Sequence, residues 1–134
     1  MADIVKSPPL GTVLVAEDQP AILEMTRRMV QAYGYEVISA PSPAKLLELA
    51  QKHTGRIVAL LTDLVMPGMD GRALAAAIRA RHPHVKVLYM SGYPETLMEP
   101  DGSLKEGVQL LAKPFTRMAL GEKLEELLKG QEAA

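Results

Sequence analysis

The chain has 134 residues, 48% of them apolar and 23% charged, with a net charge of -1 and no cysteine. That length allows one domain with a real core, and the missing cysteines exclude disulfide frameworks, thiolate zinc sites and thiol catalysis. The balanced charge, with no basic stripe, speaks against nucleic acid, and no segment could span a bilayer or serve as a secretory signal, so a soluble cytoplasmic protein or domain is expected.

Taken in chain order, residues 1–10 read as a tail or linker stub, with Ser7-Pro8-Pro9 as a breaker. Residues 12–16 form a first apolar strand that runs into Glu17 and Asp18. Pro20 suits the first turn of a helix over 20–33, in which Ile22, Thr26, Met29, Val30 and Tyr33 recur at helical spacing and Gly34 marks the stop. Residues 35–39 make a short second strand. Pro41-Ser42-Pro43 opens a second helix ending near 53–55, with Leu46, Leu47, Leu49 and Ala50 as its apolar positions. Residues 56–62 are a third strand that delivers Asp63 and then a Pro/Gly turn.

A third, alanine-rich helix spans 71–81 and is closed by His82-Pro83, and a fourth strand spans 85–90. Residues 94–106 hold Pro94, Pro100 and Gly102, so any helix there is short or broken. Residues 108–111 are a fifth strand ahead of Lys113-Pro114. A last helix over 116–129 carries Met118, Leu120, Leu124, Leu127 and Leu128, and Gly121 weakens it. A C-terminal tail covers 131–134, so the domain proper is 11–130.

Five strands alternating with about five helices imply an α/β doubly wound parallel sheet with helices on both faces. The flavodoxin-like order 2-1-3-4-5 would put a ligand crevice at the carboxyl ends of strands 1 and 3. Those ends carry Glu17, Asp18 and Asp63. Three carboxylates in one crevice repel unless a hard cation joins them, and magnesium needs only a few carboxylates beside water and phosphate. Magnesium beside a carboxylate suggests phosphoryl transfer, and a carboxylate can itself accept the group as an aspartyl phosphate. Lys113 would meet a phosphoryl oxygen as a point charge, Ser91 offers a hydroxyl, and Gly92 lets the backbone approach closely.

Taken singly, each of these residues has a plainer role. Asp63 alone is a turn acid, Glu17-Asp18 alone caps a helix, Lys113 alone is a solvated lysine, Ser91-Gly92 alone is a turn, and Asp70-Gly71 is a turn and helix start. His53, His82 and His84 read as solvent-facing, and the methionines as core filler. Phe115 reads as a core anchor.

Together, Val15-Ala16-Glu17-Asp18, Thr62-Asp63-Leu64-Val65-Met66-Pro67-Gly68-Met69-Asp70-Gly71, Met90-Ser91-Gly92 and Leu111-Ala112-Lys113-Pro114-Phe115 resemble the response-regulator receiver domains of two-component signalling, over roughly residues 11–130. Ser91-Gly92-Tyr93, Gly107-Val108 and Lys113-Pro114-Phe115-Thr116 are most like receivers of hybrid histidine kinases. The resemblance implies that Asp63 accepts phosphate from a phosphohistidine on a histidine kinase or histidine phosphotransfer protein. It implies Mg2+ ligation by Asp18, Asp63 and the backbone carbonyl of Val65, with Glu17 acting through water. It also implies phosphate binding by Ser91, Gly92 and Lys113, and a cis peptide before Pro114.

The sequence departs from the family at Leu110, where an aromatic switch residue is common, and in the proline-rich stretch that replaces the usual fourth helix. Val65 and Tyr93 hold positions that tune dephosphorylation in the family. The alternative is a pseudo-receiver that docks partners without being phosphorylated. A magnesium-dependent aspartyl hydrolase is a third reading, but it lacks a second acid two residues beyond the nucleophile, where Val65 stands. A leftover apolar stripe on the last helix could mediate a homodimer.

Overall fold

The structure, a computed structural model, describes residues 10–92 and 109–129. The two tails, the proline-rich stretch 94–106, Tyr93 and Gly107-Val108 lie outside the described residues.

Five strands, β1 (Thr12–Ala16), β2 (Glu36–Ala40), β3 (Ile57–Asp63), β4 (Lys86–Ser91) and β5 (Leu110–Ala112), form one parallel sheet in the order β2-β1-β3-β4-β5. Four helices are described: α1 (Pro20–Ala32), α2 (Pro43–Lys52), α3 (Gly71–Arg81) and α4 (Arg117–Leu127). Side chains alternate across each central strand. Val13 and Val15 therefore join a core with Val30 of α1 and with Leu120 and Leu124 of α4. Leu14 and Ala16 join a second core with Leu46 of α2 and with Leu74 and Ile78 of α3. Helices cover both faces, so the central strands read as unbroken apolar runs.

Local chemistry sets the helix starts. Ser42, Asp70 and Thr116 each accept a backbone N–H from three residues on, at 3.2, 2.8 and 3.0 Å, which satisfies one of the four unpaired donors of a first turn. α1 is different. Its N-cap residue, Gln19, makes no side-chain cap, so Asp18 is not spent on capping it. Gly121 interrupts α4 for a packing reason, since a Cβ there would lie 2.2 Å from the Tyr33 hydroxyl. That hydroxyl donates to the Arg117 carbonyl at 2.7 Å, and the Arg117 guanidinium stands over the Tyr33 ring. The glycine lets α4 approach α1.

Two expectations need correction. His53 is half-buried, with its Nε2 3.0 Å from the hydroxyl of buried Thr12. Met118 does not join the inward face of α4; it is exposed, while Leu120, Leu124, Leu127 and Leu128 are buried. No described helix is long and apolar enough to cross a membrane.

Candidate functional site

The strand registers bring the candidate residues level. Ala16 pairs with Thr62, Asp63 with Met90, and Ser91 with Ala112. Glu17, Asp63, Ser91 and Lys113 therefore stand at the carboxyl ends of four adjacent strands, joined by three pairings. One ligand oxygen from each of Glu17, Asp18 and Asp63 lies within 4.8 Å of the others. Lys113 reaches across to them, its Nζ 2.5 Å from Glu17 Oε1 and 3.3 Å from Asp63 Oδ2. The four side chains that sequence reasoning joined do meet.

Their surroundings differ. Glu17 is fully buried, Asp63 half-buried and Asp18 exposed. Burial pushes the Glu17 carboxyl above its ordinary value, while the Lys113 ammonium and the Gln19 N–H, which donates to Oε2 at 3.1 Å, pull the other way. Both Glu17 oxygens are thus engaged, one by a cation and one by backbone. Asp18 is the exposed carboxylate of the three, and Asp63 keeps partial exposure beside Lys113.

The loop after β3 is held at both ends. Leu64 N–H donates to the Met90 carbonyl at 3.1 Å, extending the ladder past Asp63, and Gly71 N–H donates to the Leu64 carbonyl at 2.8 Å. A Cβ at residue 71 would lie 2.4 Å from the Asp63 carbonyl oxygen, so only glycine lets α3 begin there. Val65, inside this loop, is 71% exposed. On the far side, Lys113 N–H donates to the Ser91 carbonyl at 2.9 Å, and the Lys113–Pro114 peptide is cis. Ser91 is buried beside this junction and Gly92 is exposed. Leu110 packs with Leu64 and Tyr89 in a small cluster next to the site.

Two participants escaped the sequence reading. Gln19 anchors Glu17 through a backbone N–H, which no side-chain type reveals. Gly71 was read as a helix start, and its contact with Asp63 depends on tertiary geometry. Position 65, two residues beyond Asp63, is valine, so the second acid that a hydrolase of this kind would place there is missing from that position. An oxygen-rich, three-carboxylate set with one ammonium suits a hard divalent cation and a phosphoryl group together.

A family model described as "Response regulator receiver domain" matches residues 13–125. The sensor kinase CckA of Brucella abortus (strain 2308) is 33% identical over 122 residues, which is 91% of this chain but 13% of that kinase. The response regulator receiver protein CpdR of the same strain is 29% identical over 116 residues, 87% of this chain and 95% of that protein. Among solved structures, the receiver domain of the hybrid histidine kinase CckA matches with a TM-score of 0.74 at 31% identity, over 89% of this chain and 100% of that one. The chemotaxis response regulator CheY4 of Vibrio cholerae matches with a TM-score of 0.72 at 28% identity, over 87% and 98%.

Proposed function

The chain belongs to the response regulator receiver domain family, and on that premise we propose that residues 11–130 form a module that accepts a phosphoryl group on Asp63. The donor is a phosphohistidine on a histidine kinase or histidine phosphotransfer protein. The observation that carries this reading is the convergence of Lys113 on Glu17 and Asp63, with Asp18 alongside, at the carboxyl edge of the sheet.

The donor set fits Mg2+. Asp18 and Asp63 would hold it directly, the Val65 carbonyl would add a third oxygen, and Glu17 would act through water, since both of its own oxygens are already engaged. Bound there, the ion supplies charge neutralisation for the phosphoryl oxygens.

The chain's own residues do the rest. An Asp63 carboxylate oxygen forms the new O–P bond as the P–N bond of the donor breaks, and the imidazole, protonated on its other nitrogen, leaves neutral. The Lys113 ammonium, already 3.3 Å from Asp63, meets a phosphoryl oxygen. Ser91 donates its hydroxyl to another, and Gly92 leaves room for the approach. The added charge and acceptor oxygens then bias an existing equilibrium between two arrangements of the neighbouring loops. Because position 110 is leucine, the rearrangement repacks Leu110, Leu64 and Tyr89 rather than swinging a ring at that position. The output is a protein contact, and the module turns over no external metabolite. Its relatives include both a multidomain sensor kinase and a receiver of nearly its own length.

Intact-mass measurement after incubation with acetyl phosphate and Mg2+ tests the reading. One phosphoryl group is expected on wild type, with none on Asp63→Asn and none in the presence of chelator. An unlabelled wild type at saturating Mg2+ would make the chain a docking module, and unchanged labelling of Asp63→Asn would move the acceptor elsewhere.

A further inference from the structure

Position 110 carries leucine, and a ring stands beside it on the next strand. Tyr89 of β4 is the register partner of Leu110 of β5, and its N–H donates to the Gln109 carbonyl at 2.9 Å. The Tyr89 ring packs on Leu110 and on Leu64, both buried, and also against the core under α2 and α3.

These three residues belong to three segments that each carry a group of the candidate site. Leu64 directly follows Asp63, and Leu110 lies three residues before Lys113. Tyr89 lies two residues before Ser91, so the two side chains leave β4 on the same face. Backbone bonds tie the segments together. Leu64 N–H donates to the Met90 carbonyl at 3.1 Å, and Lys113 N–H donates to the Ser91 carbonyl at 2.9 Å. A shift of Asp63, Ser91 or Lys113 towards a phosphoryl group therefore changes the seat of one ring.

The ring is built to answer such a shift. Tyr89 is half-buried, its body on the two leucines. Burial pushes its hydroxyl above the ordinary value, Arg79 and Arg72 of α3 pull it down, and Asp70 pushes it up. The hydroxyl end thus lies in the field of α3, whose first turn Asp70 caps where the loop after Asp63 ends. A planar ring over two leucines has few seats, so a small displacement of either is met by a change of rotamer rather than by gradual deformation. A tyrosine that only packs, with its hydroxyl left near water, would be indifferent to the state of Asp63.

On the reading of Asp63 as phosphoryl acceptor, we propose that Tyr89 is a positioning residue of the same site. Its ring changes seat on Leu64 and Leu110 when Asp63 is phosphorylated. In the new seat it holds the loop after Asp63 and the end of β5 in the phosphate-bound arrangement.

The chain has four tyrosines and no tryptophan, so ring-labelled tyrosine gives few signals, and Tyr89→Phe identifies those of Tyr89. The full chain is incubated with acetyl phosphate and Mg2+, and ring NMR and intact mass are recorded side by side. With one phosphoryl group present by mass, the Tyr89 ring signals should shift. Those of Tyr33 and Tyr35, which pack on the opposite face with α1 and α4, should stay. At a temperature where melts show every variant folded, the phosphoryl lifetime should match wild type in Tyr89→Phe, which keeps the ring. It should be at least about threefold shorter in Tyr89→Leu, which covers the two leucines without one. A phosphorylated chain whose Tyr89 signals move no more than those of Tyr33 would overturn the inference and leave the role of Asp63 standing. So would a lifetime that is not shortened in Tyr89→Leu, or one shortened equally in Tyr89→Phe. Absence of any phosphoryl group by mass would remove the acceptor reading itself, and this inference with it.

Discussion

Lys113 and Glu17, 96 positions apart in the chain, meet at 2.5 Å in a pocket where the glutamate has no exposed surface. The lysine is the counter-ion that lets a buried carboxylate stand one strand away from Asp63. The same ammonium is 3.3 Å from Asp63, so the fold stores at the site the cation that a phosphoryl group would need.

Lys113→Ala should therefore damage stability and function together. Removing one partner of a buried pair usually costs several kcal/mol. Lys113 keeps some exposure and Glu17 can take up a proton, so about 2 kcal/mol at pH 7 is expected here. The loss should be pH-dependent. Glu17 already sits above its ordinary value because of burial, and without Lys113 it rises further. A carboxyl raised in the fold carries no penalty below its unfolded value, and the penalty grows as pH rises towards the folded one. Denaturant melts should show a small deficit near pH 4 and the full deficit at pH 7. A deficit that grew on acidification would contradict the pairing.

Asp18→Asn should move stability and metal response in opposite directions. Asp18 is exposed and unused as a helix cap, so it contributes repulsion to the acidic cluster. In chelator the variant should match wild type or exceed it by roughly 0.5 kcal/mol. Wild type should gain about 2.7 kcal/mol at Mg2+ one hundred times its Kd, and the variant should gain far less. Thermal melts with and without Mg2+ measure both effects.

Gly71→Ala should disturb Asp63, the proposed acceptor, from behind. The new methyl would meet the Asp63 carbonyl oxygen at 2.4 Å, and either the end of β3 or the start of α3 must move. Overpacking of this kind costs about 1–3 kcal/mol. Phosphoryl uptake should fall by more than the loss of folded protein explains, as read by labelling at a temperature where the variant is fully folded.

Gly121→Ala separates helix propensity from packing. In an open helix the change would gain about 1 kcal/mol. Here the methyl would collide with the Tyr33 ring and break the hydroxyl contact to Arg117, so a net loss of about 1 kcal/mol is expected. Tyr33→Ala should cost less in the Gly121→Ala background than alone, a coupling that a double-mutant cycle reads directly.

Much of the architecture was legible in the sequence because the two periodicities are strong. Apolar runs ending in acids, each followed by an amphipathic stretch with a breaker, define parallel strands and their crossovers, and every described strand and helix lies within two residues of its expected place. The failures came where neighbours decide. Met118 sits at a helical apolar spacing yet faces solvent, because the core contact of α4 is taken by Leu120, Leu124, Leu127 and Leu128. His53 looks like a surface residue until Thr12 is found beside it.

The site divides in the same way. Residue type and position along each strand were enough to nominate Glu17, Asp18, Asp63, Ser91 and Lys113, because chemistry that handles phosphate needs acids, a hydroxyl and a cation at strand ends. Only folding could say that Glu17 is sealed off by Lys113 and the Gln19 amide while Asp18 stays exposed and Asp63 partly so. Sheet order and register set those distances, and burial sets the charge each group can bear; both depend on residues far away along the chain.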